Sequence, residues 1–142
     1  MYVKQISVSL QNVPGELADV SEHLGAEGVN IRAISVADTS DISTVRFVAD
    51  DPEKAANVLK SHGYSVRETD VIAVETPDHP GGLKAVLKPL REAAINVLYL
   101  YPYLGRATGQ PIIIVGVDKI EEALKILEKN WVHTFSKEIY SL

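Results

Sequence analysis

Asn12-Val13-Pro14-Gly15-Glu16-Leu17 is used twice: it returns as Asp78-His79-Pro80-Gly81-Gly82-Leu83, with Pro14 and Pro80 66 positions apart. Working outward, Gly28-Val29-Asn30-Ile31 is answered at the same offset by Ala94-Ile95-Asn96-Val97. Glu53-Lys54-Ala55 with Val58-Leu59 comes back 68 positions later as Glu121-Glu122-Ala123 with Ile126-Leu127. Three blocks in order, drifting by only two residues, mark a duplicated module. A duplicated small domain commonly builds its binding sites where copies meet.

Each repeat carries the same pattern of elements. Ile6, Val8 and Leu10 alternate with Gln5, Ser7 and Ser9, the period of a strand with one buried face. Pro14-Gly15 is read as a helix start with proline in the first turn, and Leu17, Val20 and Leu24 follow at helical spacing up to Gly28. Residues 31–38 and 43–49 alternate again around a turn at Thr39-Ser40-Asp41. Asp51-Pro52 is a cap and first-turn proline for a helix carrying Ala55, Val58 and Leu59, and residues 64–68 form a last strand. The second half repeats this with strands at 71–75, 97–103, 112–117 and 132–136, a helix from Pro80 to about Ala94, and a helix capped by Asp118. Pro89 inside the former removes a hydrogen bond and predicts a bend. The fold class is α+β: two ferredoxin-like βαββαβ modules in tandem, residues 1–69 and 70–142, with antiparallel sheets, helices on one face and a short C-terminal tail.

Composition narrows what such a protein does. With 142 residues and 46% hydrophobic content, the chain can bury a core in each half. Modules of about 70 residues are marginal alone and gain by packing or pairing. There is no cysteine, which removes disulfides, thiolate metal sites and thiol nucleophiles. The N-terminal sequence runs straight into a strand pattern without a signal-peptide stretch, and apolar runs are too short to span a bilayer, so a cytoplasmic protein with no membrane contact is expected. Residues 1–70 hold 6 Lys/Arg against 11 Asp/Glu, and residues 71–142 hold 8 of each. Without a basic stripe, nucleic-acid binding has no electrostatic footing.

The repeated turn has the chemistry of a small-molecule site. A glycine after the first strand allows close backbone approach, and the helix N-terminus behind it presents N–H groups to a carboxylate. Asparagine both donates and accepts, which suits a zwitterion. Two local roles compete with this. Asn12 and Asp78 can bond the turn's own backbone, and Asn30 and Asn96 can accommodate left-handed backbone after a helix. His79 stands in the second loop as an exposed or ligand-touching side chain, while His23, His62 and His133 lack metal-ligand spacing and read as surface or boundary residues. No metal, cofactor or catalytic residue is expected, since no nucleophile elbow, phosphate loop, dinucleotide fingerprint or zinc-protease motif is present.

The strand with Asn12-Val13-Pro14-Gly15-Glu16-Leu17, then Gly28-Val29-Asn30-Ile31 in βαββαβ order, resembles the ACT domain, a regulatory module appended to many enzymes of amino-acid metabolism. Asp78-His79-Pro80-Gly81-Gly82-Leu83 and Ile95-Asn96-Val97 carry the second copy, so the resemblance covers all but the tail. It implies a stand-alone tandem ACT protein: a non-catalytic sensor binding a free amino acid at module interfaces, with a partner enzyme of amino-acid metabolism. The ACT-type serine site of phosphoglycerate dehydrogenases has one asparagine before Pro-Gly and another before the second strand. Those positions here are Asn12 and Asn30, with Asn96 kept and Asp78 substituted in the second copy. The ligand-binding set implied is Asn12, Val13, Gly15, Glu16, Leu17, Asn30 and Ile31, with Asp78, His79, Gly81, Gly82, Leu83, Asn96 and Val97. A ligand-independent interaction module and a small ferredoxin-like enzyme are the alternatives.

One stretch differs between the copies. Alternation sends Val97, Tyr99, Tyr101 and Tyr103 to one face and Leu98 and Leu100 to the other, whereas the first repeat has Ala33, Ser35 and Ala37. The tyrosines are expected to be an exposed interface stripe off the helix-packed core, and a homodimer is expected to cover them.

Overall fold

The computed structural model describes residues 2–105 and 109–142. Met1, where the expected first module begins, lies outside the described residues. Two compact units emerge: Lys4–Thr69, and residues 2–3 with Asp70–Leu142. Each is an α+β module with an antiparallel sheet.

In the first unit β1 (Val3–Gln11), α1 (Glu16–Ala26), β2 (Ile31–Asp38), β3 (Ile42–Ala49), α2 (Pro52–Ser61) and the opening of β4 (Val66–Glu75) follow in βαββαβ order. The strands lie in the order β2-β3-β1-β4. Ile6, Val8, Val45 and Phe47 face Val20, Leu24, Ala55 and Leu59 of the two helices, and all are buried. The alternation read from sequence is therefore the helix-covered face, as a period of two requires.

The second unit repeats the pattern with the end of β4, α3 (Gly82–Glu92), β5 (Val97–Pro102), β6 (Ile112–Val117), α4 (Ile120–Lys129) and a two-residue β7 (Thr134–Phe135). Here β4 lies between β6 and β7, and β5 is the edge beyond β6. Ile72, Val74, Ile113 and Val115 meet Val86, Leu90, Leu124 and Leu127 in its core, with Tyr2 packed against them. The two strands expected at 64–68 and 71–75 are one strand, β4, because nothing in Val66–Glu75 breaks extended backbone. α3 carries Pro89 in its interior and continues to Glu92.

Both helices after the repeated turn begin later than their prolines suggest. Gly15 and Gly81 are the N-cap residues, with φ of 92° and 82°, so Pro14 and Pro80 precede the caps instead of occupying the first turn. Only glycine adopts that left-handed backbone without strain.

A β-bulge sits at the same repeat position in both hairpins, between Ile31 and Ala33 and between Val97 and Tyr99. It puts an extra residue into the strand and reverses the alternation after it. Val97 therefore packs with the helix-side core, while Tyr99 pairs with Gly116 on the opposite face. Simple alternation had placed Val97 and the tyrosines together.

The tyrosines are not an exposed stripe. Tyr101 and Tyr103 are 3% and 9% exposed, and Tyr99 is half-buried against Tyr101. Part of their cover is the tail, which forms a 3-10 helix at Lys137–Tyr140. The Tyr103 hydroxyl donates to the Ile139 carbonyl at 2.9 Å, and Ile139 is fully buried. Along and just after β5, the large apolar side chains left in solvent are Leu98, Leu100 and Leu104.

Candidate functional site

The first repeated turn hangs from β1 and is tied to the hairpin tip. Asn12 N–H donates to the Asp41 carbonyl at 3.0 Å, and its side-chain Nδ2 reaches the Thr39 carbonyl at 3.4 Å. The side chain thus has a local partner for its amide while its oxygen remains an acceptor. Val13 and Leu17 are exposed beside it, and α1 starts behind Gly15 with no side-chain cap. Its first N–H groups and dipole point at this loop, where an anion is favoured. Tyr64 stands near Glu16 and Asp19. Burial first, then those two carboxylates, raise its pKa above 10.0 and keep the hydroxyl protonated.

Asn30 is held by a different device. Its N–H donates to Asp50 Oδ1 at 2.9 Å, and Asp50 N–H returns a bond to the Asn30 carbonyl at 2.9 Å. Asn96 and Asp118 repeat this clip at 3.0 and 3.2 Å. Both clips use the asparagine backbone, so neither commits its side-chain amide. The left-handed residues after α1 and α3 are Gly28 and Ala94, not Asn30 and Asn96. The Asp118 side chain, expected to cap α4, closes the clip instead, and Lys119 is the cap residue. Sequence reading missed Asp50 and Asp118 as clip residues. The signal available was their equivalence across the 68-residue offset, which the neighbouring Asp51 and Lys119 do not share.

The second turn is folded more tightly on itself. Asp78 N–H donates to Gln110 Oε1 at 3.0 Å, and Gly82 N–H donates to the His79 carbonyl at 2.8 Å. His79 Nδ1 lies 2.9 Å from the Pro80 carbonyl. Gly82 is buried, and a Cβ there would stand 2.0 Å from the Pro77 carbonyl oxygen. Its counterpart Glu16 is half-buried, so the first turn has room that the second lacks.

Within one module the two motif halves are not brought together. Gln11 pairs with Ile42, which puts the Asn12 turn at the hairpin-tip end of the sheet. Ile31 pairs with Ala49, which puts Asn30 and Ile31 at the other end. The eight residues of β2 between them correspond to roughly 25 Å. Asp78, His79, Gly81, Gly82 and Leu83 are separated from Asn96 and Val97 in the same way by β5. A molecule the size of an amino acid touches one end or the other. Among the described residues, no group of three or more His, Asp or Glu side chains forms a metal-ligand cluster.

This pair of βαββαβ modules with repeated Pro-Gly turns defines a tandem of ACT modules. The chain belongs to the ACT domain pair family, whose profile matches residues 1–141. It is similar to protein BT0572 from Bacteroides thetaiotaomicron, at 28% identity and a TM-score of 0.92 over 100% of this chain and 98% of that one. The ligand-free regulatory subunit of aspartate kinase from Thermus thermophilus aligns at 17% identity, TM-score 0.64, over 90% of this chain and 92% of that one. The corresponding subunit from Thermus flavus gives 18%, 0.62, 90% and 92%. These two share the fold. No curated protein matches the chain. Among the described residues, no helix is long and apolar enough to cross a membrane.

Proposed function

We propose that this protein is a non-catalytic regulatory sensor whose ligand is a free amino acid, bound where a module of one copy meets a module of a second copy. The observation that carries this reading is the separation of Asn12 from Asn30 across one sheet. A ligand contacting both kinds of group needs the turn of one module and the clipped corner of another, and this reading takes them from two chains. Binding then favours the assembled state, because a ligand that touches two copies stabilises only the form that holds them together. The uncapped start of α1 suits the carboxylate, and the Asn30 side chain suits the ammonium. Aspartate kinase regulatory subunits carry the same fold, which supports an enzyme of amino-acid metabolism as the partner. A homodimer is part of this reading, with the edge strand β5 and its exposed Leu98 and Leu100 as the face to be covered.

The test is a thermal-shift screen of amino acids on the purified protein, followed by complementation. Asn12→Ala and Asn30→Ala each lose the response, Asn96→Ala less so. Mixing the two inactive variants restores part of it, because a mixed dimer contains one intact site. Absence of stabilisation by every amino acid at millimolar concentration would overturn the reading. A response that each single variant retains would place the site elsewhere.

A further inference from the structure

Trp131 is the chain's only tryptophan, and it sits where folding gives no reason for it. Its backbone is left-handed, with φ of 63°, at the repeat position held by Gly63, with φ of 85°. A residue with a Cβ is strained in that conformation by about 1–2 kcal/mol. Burial does not compensate, because Trp131 is 95% exposed. A large aromatic ring kept in solvent on unfavourable backbone contributes to something other than the core.

Beside it is a cleft of about 230 Å3, lined by Trp131 with Glu75, Pro77, Gln110, Asn130 and His133. All of these belong to the second unit. The cleft lies below the roughly 300–1,000 Å3 of a drug-sized site, which suits a small metabolite. Two of its polar groups are already held in place. Gln110 accepts from the Asp78 N–H, and Asn130 Nδ2 donates to the Ile126 carbonyl at 2.8 Å. Glu75 is the carboxylate, no lysine or arginine is among the described lining residues, and His133 is the one of them able to carry positive charge. Asn130 and Trp131 directly follow α4, so the negative end of that helix dipole borders the cleft.

We infer that this cleft binds a small organic ammonium ion, with Glu75 and the end of α4 opposing its charge and the Trp131 indole lying against it as a cation–π partner. The cleft adjoins the second repeated turn through Pro77 and Gln110 but is lined by none of Asn12, Asn30 and Asn96, and it calls for no carboxylate on its ligand.

The single tryptophan supplies the readout. Intrinsic fluorescence is followed while the protein is titrated with tetramethylammonium, n-butylammonium, n-butanol and butanoate. The expected result is a saturable change with the two ammonium ions and none with the alcohol or the carboxylate. Glu75→Gln weakens it by about tenfold or more, the scale of one lost contact to a charged group. Calorimetry on Trp131→Gly, a change that relieves backbone strain, gives a second test in which ammonium binding is lost while the module stays folded. No saturable response to either ammonium ion, an equal response to butanoate, or full binding by Trp131→Gly would overturn the inference. A shift in emission with protein concentration alone would assign Trp131 to a protein interface instead, which also overturns it.

Discussion

At the scale of single residues, the second module carries strain that the first avoids. Gly28 and Gly63 hold the left-handed positions after α1 and α2, while Ala94 and Trp131 hold the same positions after α3 and α4. Ala94→Gly should therefore raise stability, and Gly28→Ala should lower it, each by about 1 kcal/mol. Urea unfolding followed by circular dichroism reads both, and a shift of Ala94→Gly to lower urea would contradict the strain argument. Gly82 is a different case, since the obstacle to a side chain is the Pro77 carbonyl, which is backbone. Gly82→Ala should cost more than 1 kcal/mol and disturb the Asp78 turn, whereas Glu16→Ala at the twin position stays within about 0.5 kcal/mol. Glu138 in the tail adds a pH dependence. Its pKa is lowered from 4.5, first by its own backbone N–H, then by bonds from Ser136 and the nearby charge of His133. A depressed carboxylate pKa contributes stability that is present above the unfolded value and is lost as pH falls through the folded one. Tail protection against hydrogen exchange should fall below about pH 4.5 in the native protein and lose that dependence in Glu138→Gln.

At the scale of elements, the two copies solve one packing problem with opposite residues. Ala33 faces Val48 across the first hairpin, and Tyr99 faces Gly116 across the second, at equivalent positions. A Cβ on Gly116 would stand 2.3 Å from the Tyr99 ring, so Gly116→Val alone should destabilise by about 1–3 kcal/mol, the usual cost of overpacking. Adding Tyr99→Ala should recover most of it, as the Ala–Val pair of the first copy implies, and a double-mutant cycle measures the coupling. Capping offers a parallel comparison. Asp51 accepts from Lys54 N–H at 3.1 Å, whereas α4 starts at Lys119 without a side-chain cap. Lys119→Asp should stabilise the second module by about 1 kcal/mol, read as a higher unfolding midpoint. The strands and helices themselves were legible, because alternation at Ile6, Val8 and Leu10 and helical spacing at Leu17, Val20 and Leu24 are local. The starts of α1 and α3 were displaced by two residues because a left-handed glycine cap leaves no sign in a hydrophobic pattern. The bulge before Ala33 and Tyr99 was invisible for a related reason. One unpaired residue reverses every later face, and only the partner strand reveals it.

At the scale of the whole molecule, the motif residues could be listed from sequence but their separation could not. Which end of a sheet a loop occupies depends on strand direction and order, and those depend on pairing. The tail was likewise opaque, since one of its ties is a hydroxyl, Tyr103, reaching Ile139 and Leu142 from 36 and 39 positions away. Removing residues 137–142 should lower the unfolding midpoint of the second unit and expose Tyr103 to solvent, with the first unit's hydrogen-exchange protection unchanged. The paired hairpins also preserve an order of events. Their bulges fall at positions 66 apart, and Asp50 and Asp118 of the clips are 68 apart. The strand registers agree on either side, with Ser35 opposite Arg46 and Tyr101 opposite Ile114, so the two additional residues belong to the loop between β5 and β6. A bulge shared in place is most simply one insertion, made in an ancestor that had a single module. The difference in loop length arose after the duplication, since the two copies do not share it. The kinked hairpin is thus an inheritance of both halves, and the loop beside Gln110 is where the two halves part in length.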